Sequence, residues 1–257
     1  MPDRYEDGRG RACPATCQSV VQTARRSADS AASSPLRTLG RALSIEKCIL
    51  IGHSSGGGKN RRFAHKYPER VNRLVYLDTV YGYIAPGLEE KTNEQIEKML
   101  GGHPMDSVEN WKRSGRIWEP GLHSAAMDRD FAENFIVEGD GEIKERYDMA
   151  PAWRKEVDSD MNAGLYTDTR ISHPALMIFA MDTDDDRVKQ FPQKARRNLE
   201  PLARQTEERR RDEIEKFRSN GDNVQIVELR HTAHYCFVQR PATVSRLIAQ
   251  FLARPVS

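Results

Sequence analysis

Gly52-His53-Ser54-Ser55-Gly56 places a serine between two glycines, directly after the apolar run Cys48-Ile49-Leu50-Ile51 and directly before a stretch with helical character. A serine on a hairpin turn from strand to helix takes strained backbone angles and presents its hydroxyl to solvent. Small residues two before and two after it let the chain approach itself closely. The helix that follows aims its first N–H groups at the same place, where they stabilise a developing oxyanion. That is the chemistry of acyl transfer, with Ser54 as nucleophile. A glycine-rich turn without chemistry yields the same five letters, so the reading depends on the strand before and the helix after.

A serine hydroxyl is a weak nucleophile at neutral pH and needs a base within hydrogen-bond reach. His234 is the candidate, because it lies past the last apolar run, Val224 to Leu229, in a loop before the terminal helix. A doubly wound sheet presents its functional groups at such carboxyl ends of strands. His231, nearer the strand end, reads as a surface histidine, and His53, inside the turn, as packing or support. An acid to hold the imidazole has two candidate places: Asp78 after one strand, and Asp182 or Asp184 in Met181-Asp182-Thr183-Asp184-Asp185-Asp186 after the next. Aspartate at a strand end also caps helices and forms turns, so both places stay open.

The elements that must position these groups follow from hydrophobic patterning. Cys48 to Ile51 reads as a buried strand, Gly57 to Lys66 as a helix stopped at Tyr67-Pro68, and Val71 to Leu77 as a second buried strand. Strand, helix and strand in about thirty residues form a βαβ unit with parallel strands. Ala175 to Ala180 and Val224 to Leu229 give two further strands. Pro241 to Leu252 reads as an amphipathic helix with Val244, Leu247, Ile248 and Phe251 on one face. Between them, residues 81–170 are charged, helix-prone and without a clear strand, with Trp111, Trp118 and Trp153 spaced through the region. This suits a helical insertion whose tryptophans are ordinary core. The stretch from Val188 to Ser219 reads as helix, and its mixed-sign run Glu207 to Glu213 as a solvated face.

Composition bounds the function. Lys and Arg total 40 against 38 for Asp and Glu, a net charge of +2 that gives no footprint for nucleic acid or an acidic membrane. No apolar run approaches the roughly 18 residues of a membrane span. The charged opening leaves no room for an export signal, which makes the cytoplasm the default and leaves the native compartment open. Cys13, Cys17, Cys48 and Cys236 are too few for a disulfide scaffold. The CxxxC spacing of the first two lacks a second pair for zinc, so four reduced thiols are expected, with Cys48 and Cys236 buried and no metal.

IEKCILIGHSSGGG, YPERVNRLVYLD, HPALMIFAMD and VELRHTAHYCFVQRPATVSRLIAQFL together resemble the α/β-hydrolase superfamily, in the family's order of nucleophile, acid and histidine. The resemblance implies an α/β fold, a mostly parallel sheet flanked by helices, with residues 35–80 and 171–257 as the core and 81–170 as a helical cap. Residues 1–34 would be a poorly ordered or helical start. It further implies a serine hydrolase with Ser54 as nucleophile, His234 as base, the Ser55 N–H as an oxyanion donor, a small acyl or ester substrate and no cofactor. Two departures accompany it. The residue at the family's usual acid position is Thr183, which keeps Asp78, at the alternative position, level with Asp182 and Asp184. The family's strands before the nucleophile, and the loop that supplies its second oxyanion donor, have no counterpart in residues 1–53. A shortened sheet of this kind would be weak or inactive as an enzyme, and its bare edge would pair with a partner or a second copy.

Overall fold

The computed structural model describes residues 42–79, 84–122, 125–146, 170–220 and 223–255. Cys13, Cys17 and the expected segment 1–34 lie outside them, as does Trp153. The chain divides into two units, Met1–Cys48 and Ile49–Ser257, and the groups of interest belong to the second.

Four strands form the main sheet in the order β1 (Cys48–His53), β2 (Val71–Leu77), β5 (Ala175–Met181) and β6 (Val224–Arg230). β2 runs parallel to β5 with Leu74 opposite Ala175, and β5 runs parallel to β6 with Ala175 opposite Val224. Every residue of β5 is buried, as expected for an apolar parallel strand covered on both faces. β1 departs from the expected buried strand. Leu50 is buried, but Ile49 and Ile51 are 41% and 51% exposed, because β1 stands at one end of the strand order and its alternate side chains face outward.

Helices cover the sheet where the sequence places apolar stripes. α1 (Ser55–Lys66) connects β1 to β2, and a short 3-10 turn at Pro68–Arg70 leads into β2. The terminal helix α8 (Pro241–Leu252) lays Val244 and Phe251 against Val75, Leu77, Leu176 and Ile178, with the short α7 (Cys236–Gln239) before it. α5 (Thr183–Val188) and α6 (Gln193–Arg218) follow β5. α6 buries Leu199, Ala203, Thr206, Glu207, Arg210, Ile214 and Phe217, a stripe at helical spacing. Glu207 and Arg210 therefore lie inside, which corrects the solvated face expected of the charge run. The 207, 210, 214, 217 spacing puts them on the stripe of Ile214 and Phe217, and Asp184 supplies a buried partner.

The segment between β2 and β5 contributes α2 (Leu88–Leu100), α3 (Val108–Trp118) and α4 (Ala125–Asn134). Left-handed Gly87 and Gly101 bound α2, and the Ser107 side chain caps α3 by accepting the Asn110 N–H at 3.1 Å. Leu88, Ile96 and Ile117 pack with Val188, Phe191 and Leu199, with Trp118 against the same cluster. The expectation of a region without strands fails at an antiparallel hairpin, β3 (Phe135–Val137) with β4 (Ile143–Glu145). Phe135-Ile136-Val137 is a strand-forming run, and the turn after it is closed by Gly141 at φ 91° and by Asp140, whose carboxylate accepts the Glu142 N–H.

One feature of the sheet positions the site. Each main strand is followed at once by a residue with positive φ: Ser54 (50°), Asp78 (45°), Asp182 (64°) and His231 (49°). L-residues pay roughly 1–2 kcal/mol for this conformation, and short polar side chains tolerate it best. The carboxyl end of the sheet thus gathers four sharp turns that carry polar groups.

Candidate active site

Ser54 occupies the turn between β1 and α1 at φ 50° and ψ −127°, a strained conformation for a residue with a side chain, and that side chain makes no capping bond to α1. Its own N–H donates to the Leu77 carbonyl at 3.1 Å, so the serine is tied to the end of β2 beside Asp78. Gly52 is required, because a Cβ there would stand 2.6 Å from the Gly56 carbonyl. Gly56 itself has open space where a Cβ would go, so the expected close approach on the far side of the serine belongs to Gly57, whose Cβ would meet the Thr79 side chain at 2.2 Å. Thr79 in turn donates to the Leu77 carbonyl at 3.2 Å and to that of Gly52 at 3.4 Å, joining the two strand ends. The N–H of Ser55, in the first turn of α1, has no carbonyl within the helix to bond.

Asp78 meets His234. The imidazole Nδ1 lies 2.6 Å from Asp78 Oδ2, and Oδ1 of the same carboxylate accepts the Ala180 N–H at 2.9 Å. Asp78 is buried, while the His234 side chain keeps 29% of its surface. Burial alone would raise the Asp78 pKa, but the His234 hydrogen bond, the Arg210 charge and the Ala180 N–H outweigh it and hold the carboxyl below its ordinary value. Burial likewise works against a charged His234, and the bond and charge of Asp78, with the charge of Glu119, outweigh it and raise the imidazole pKa above 6.5. An Nδ1 held by a carboxylate leaves Nε2 to exchange a proton.

The other candidate acids go elsewhere. Asp182 faces the exposed Arg230 at 3.3 Å. Asp184 receives Arg187 at 2.6 Å and lies 3.6 Å from Arg210, all three buried. Thr183 donates its hydroxyl to the Thr232 carbonyl at 2.6 Å, supporting the histidine loop rather than the ring. His231 is 65% exposed and pairs with Asp186 at 3.0 Å.

Sequence and structure comparisons point one way. The family described as alpha/beta hydrolase fold matches residues 11–106. Among solved structures, the chain is similar to an E-2-(acetamidomethylene)succinate hydrolase at 16% identity and TM-score 0.52, covering 90% of this chain and 74% of that one. It is similar at 18% identity and TM-score 0.51 to a probable hydrolytic enzyme of Pseudomonas aeruginosa, covering 98% and 72%. An epoxide hydrolase follows at 16% and 0.50, covering 85% and 72%. The chain has an α/β-hydrolase-like fold. At these identities the solved structures speak for the fold alone, and no curated protein matches the sequence.

Two further residues touch His234. His53 places Nε2 3.0 Å from the His234 carbonyl and its ring centroid 4.4 Å from the His234 ring, with Tyr235 and Phe237 also against it. Burial, then the neighbouring His234, lower its pKa to about 4, so it is a neutral support that donates Nε2–H to the carbonyl. Glu119, just past α3, accepts the His234 backbone N–H at 2.8 Å. No local pattern marks Glu119, since its partner is 115 residues away. Cys236 is buried, and burial followed by the Asp78 charge pushes its thiol up to about 12, which keeps it protonated and unreactive. Cys48 is half-buried rather than buried as expected. Among the described residues no cluster could hold a metal ion, and no helix is long and apolar enough to cross a membrane.

Proposed function

We propose that this chain is a serine hydrolase of ester or related acyl bonds, working through Ser54, His234 and Asp78. The observation that carries the reading is the 2.6 Å contact between Asp78 Oδ2 and His234 Nδ1, in a chain whose Ser54 sits on a strained turn tied to the same strand end. His234 takes the Ser54 proton as the oxygen attacks the acyl carbon, and Asp78 steadies the imidazolium. Negative charge collects on the former carbonyl oxygen, where the Ser55 N–H donates. Collapse expels the alcohol, which takes the proton from His234. Water then repeats the sequence on the acyl-serine and frees the acid. The expected cap, residues 81–170, would shape the site, a reading supported by Glu119 and Trp118 within it, which reach the His234 loop and α5.

The test needs no knowledge of the substrate. Purified protein is treated with a fluorophosphonate probe, beside Ser54→Ala and His234→Ala, and the label is located by peptide mass. Labelling at Ser54 that both substitutions abolish is expected. A folded protein that takes no label contradicts the reading.

The outward Ile49 and Ile51 of β1 favour a second reading, a hydrolase-like binding protein that associates with its own copy along that edge. Absence of labelling together with a mass in light scattering that rises with concentration, and falls on Ile51→Lys, would support it.

A further inference from the structure

Glu119 is more than a spacer at the end of α3. Its carboxylate accepts the His234 N–H at 2.8 Å, and side chains from other elements hold the backbone on both sides of it. Gln190 donates to the Ile117 carbonyl at 3.1 Å and Arg187 Nε to that of Trp118 at 2.8 Å. The Arg187 guanidinium also lies 4.2 Å from the centre of the Trp118 ring. Gln239 donates to the Pro120 carbonyl at 3.4 Å while its Oε1 accepts the Ala233 N–H at 2.6 Å. The backbone from Ile117 to Pro120 is therefore held at each residue, at Glu119 and Pro120 by the His234 loop and α7, and a neutral acceptor at position 119 would satisfy the His234 N–H equally well. A carboxylate in that place also brings a second negative charge to an imidazole already paired with Asp78.

We propose that Glu119 is a positioning residue for His234, fixing its backbone from the inserted segment and, through its charge, stabilising the imidazolium formed when Ser54 gives up its proton. The proposal rests on the serine-hydrolase reading above. The groups that bear on His234 are Asp78 from β2, Glu119 from α3, His53 from β1 and Arg210 from α6. Those on Glu119 are Arg187, His234 and Asp78. Burial, helped by the Asp78 charge, outweighs the Arg187 charge and the His234 contacts and raises the Glu119 pKa above its ordinary value.

Glu119→Gln separates the two roles, because the amide oxygen still accepts the N–H but the charge is gone. His234 is titrated by NMR with histidine labelled at the ring carbon, using His234→Ala to assign the signal, and fluorophosphonate labelling is followed across the same pH range. The expected result is a His234 midpoint displaced to lower pH, with roughly a threefold or greater loss of proton affinity, and a labelling rate reduced about three- to tenfold at its plateau. Glu119→Ala, which loses acceptor and charge, should label more slowly still. An unchanged His234 midpoint in Glu119→Gln overturns the proposal, as does a lowered midpoint with an unchanged labelling rate. Failure of the parent protein to label Ser54 would instead overturn the hydrolase reading, a distinct result because the NMR titration reports on Glu119 without catalysis.

Discussion

The ends of β2 and β5 lie side by side and begin alike, each with an aspartate at positive φ one residue past a buried strand, yet their carboxylates have opposite fates. Asp78 is given to an imidazole, whereas the acids after β5 are given to cations: Asp182 to Arg230, Asp184 to Arg187 and Arg210, and Asp186 to Lys189. The decisive neighbour is Arg210. Reaching in from α6, it donates to the Ala180 carbonyl and faces Asp184 and Glu207, and its charge also acts on Asp78. An acid at a strand end is therefore sorted by what the neighbouring strand and the covering helices bring to it. The strand end itself does not decide.

The largest expected effect breaks the comparison at β2. Asp78→Asn should slow fluorophosphonate labelling of Ser54 by about a thousandfold or more, the scale seen when a triad acid becomes an amide, with circular dichroism unchanged. At β5 the effect should fall on stability. Asp184→Asn strands Arg187 and part of Arg210 in the interior, and urea unfolding should show a loss of about 3–5 kcal/mol, the usual cost of breaking a buried pair from one side. The labelling rate per folded molecule should stay within a few-fold of the parent.

A subtler lever is the packing that braces Asp78 from behind. Gly57→Ala forces a methyl group into Thr79, the residue after Asp78, and should destabilise the fold by roughly 1–3 kcal/mol. Gly56→Ala, with open space at its Cβ, should not lower the thermal midpoint.

The pH dependence has two parts of opposite sign. Asp78 is held below 3.8, so its stabilising bond is fully present above that value and is lost as pH falls through the lower folded value. His234 is raised above 6.5, so its contribution is complete below 6.5 and is lost as pH rises through the folded value. Labelling needs the neutral imidazole, so its rate should climb with pH to a midpoint above 6.5, while the pair's contribution to stability declines over the same range. A labelling midpoint at or below 6.5 would contradict the charge assigned to this pair. The smallest effect is expected at Asp182→Asn. Its partner Arg230 is 61% exposed, and such pairs are worth about 0–1 kcal/mol, so neither unfolding nor labelling should change appreciably.

Much of this was legible in the residues because the signals are local. Val71 to Leu77 and Pro241 to Leu252 have the bounds their patterns suggested, and the turn at Ser54 follows from glycines within five residues. His234 could be singled out because it follows the last strand. The choice among Asp78, Asp182 and Asp184 could not be made, since it depends on Arg230, Arg187 and Arg210 from β6, α5 and α6, and no spacing encodes that approach. Glu119 was invisible for the same reason. Glu207 and Arg210 were a different failure: their spacing to Ile214 and Phe217 was there to be read, but a run of mixed charge outweighed it. The Phe135 hairpin was hidden by the helix-prone charged segments around it, although Asp140-Gly141 beside Phe135-Ile136-Val137 was a usable turn signal.

The most direct measurement is the rate of fluorophosphonate labelling at Ser54 in Asp78→Asn and Asp184→Asn, compared with the parent and corrected for the folded fraction. The account predicts a collapse of the rate in the first and near-parent labelling in the second. Collapse in Asp184→Asn with Asp78→Asn unaffected would contradict it and move the acid of the site to the end of β5.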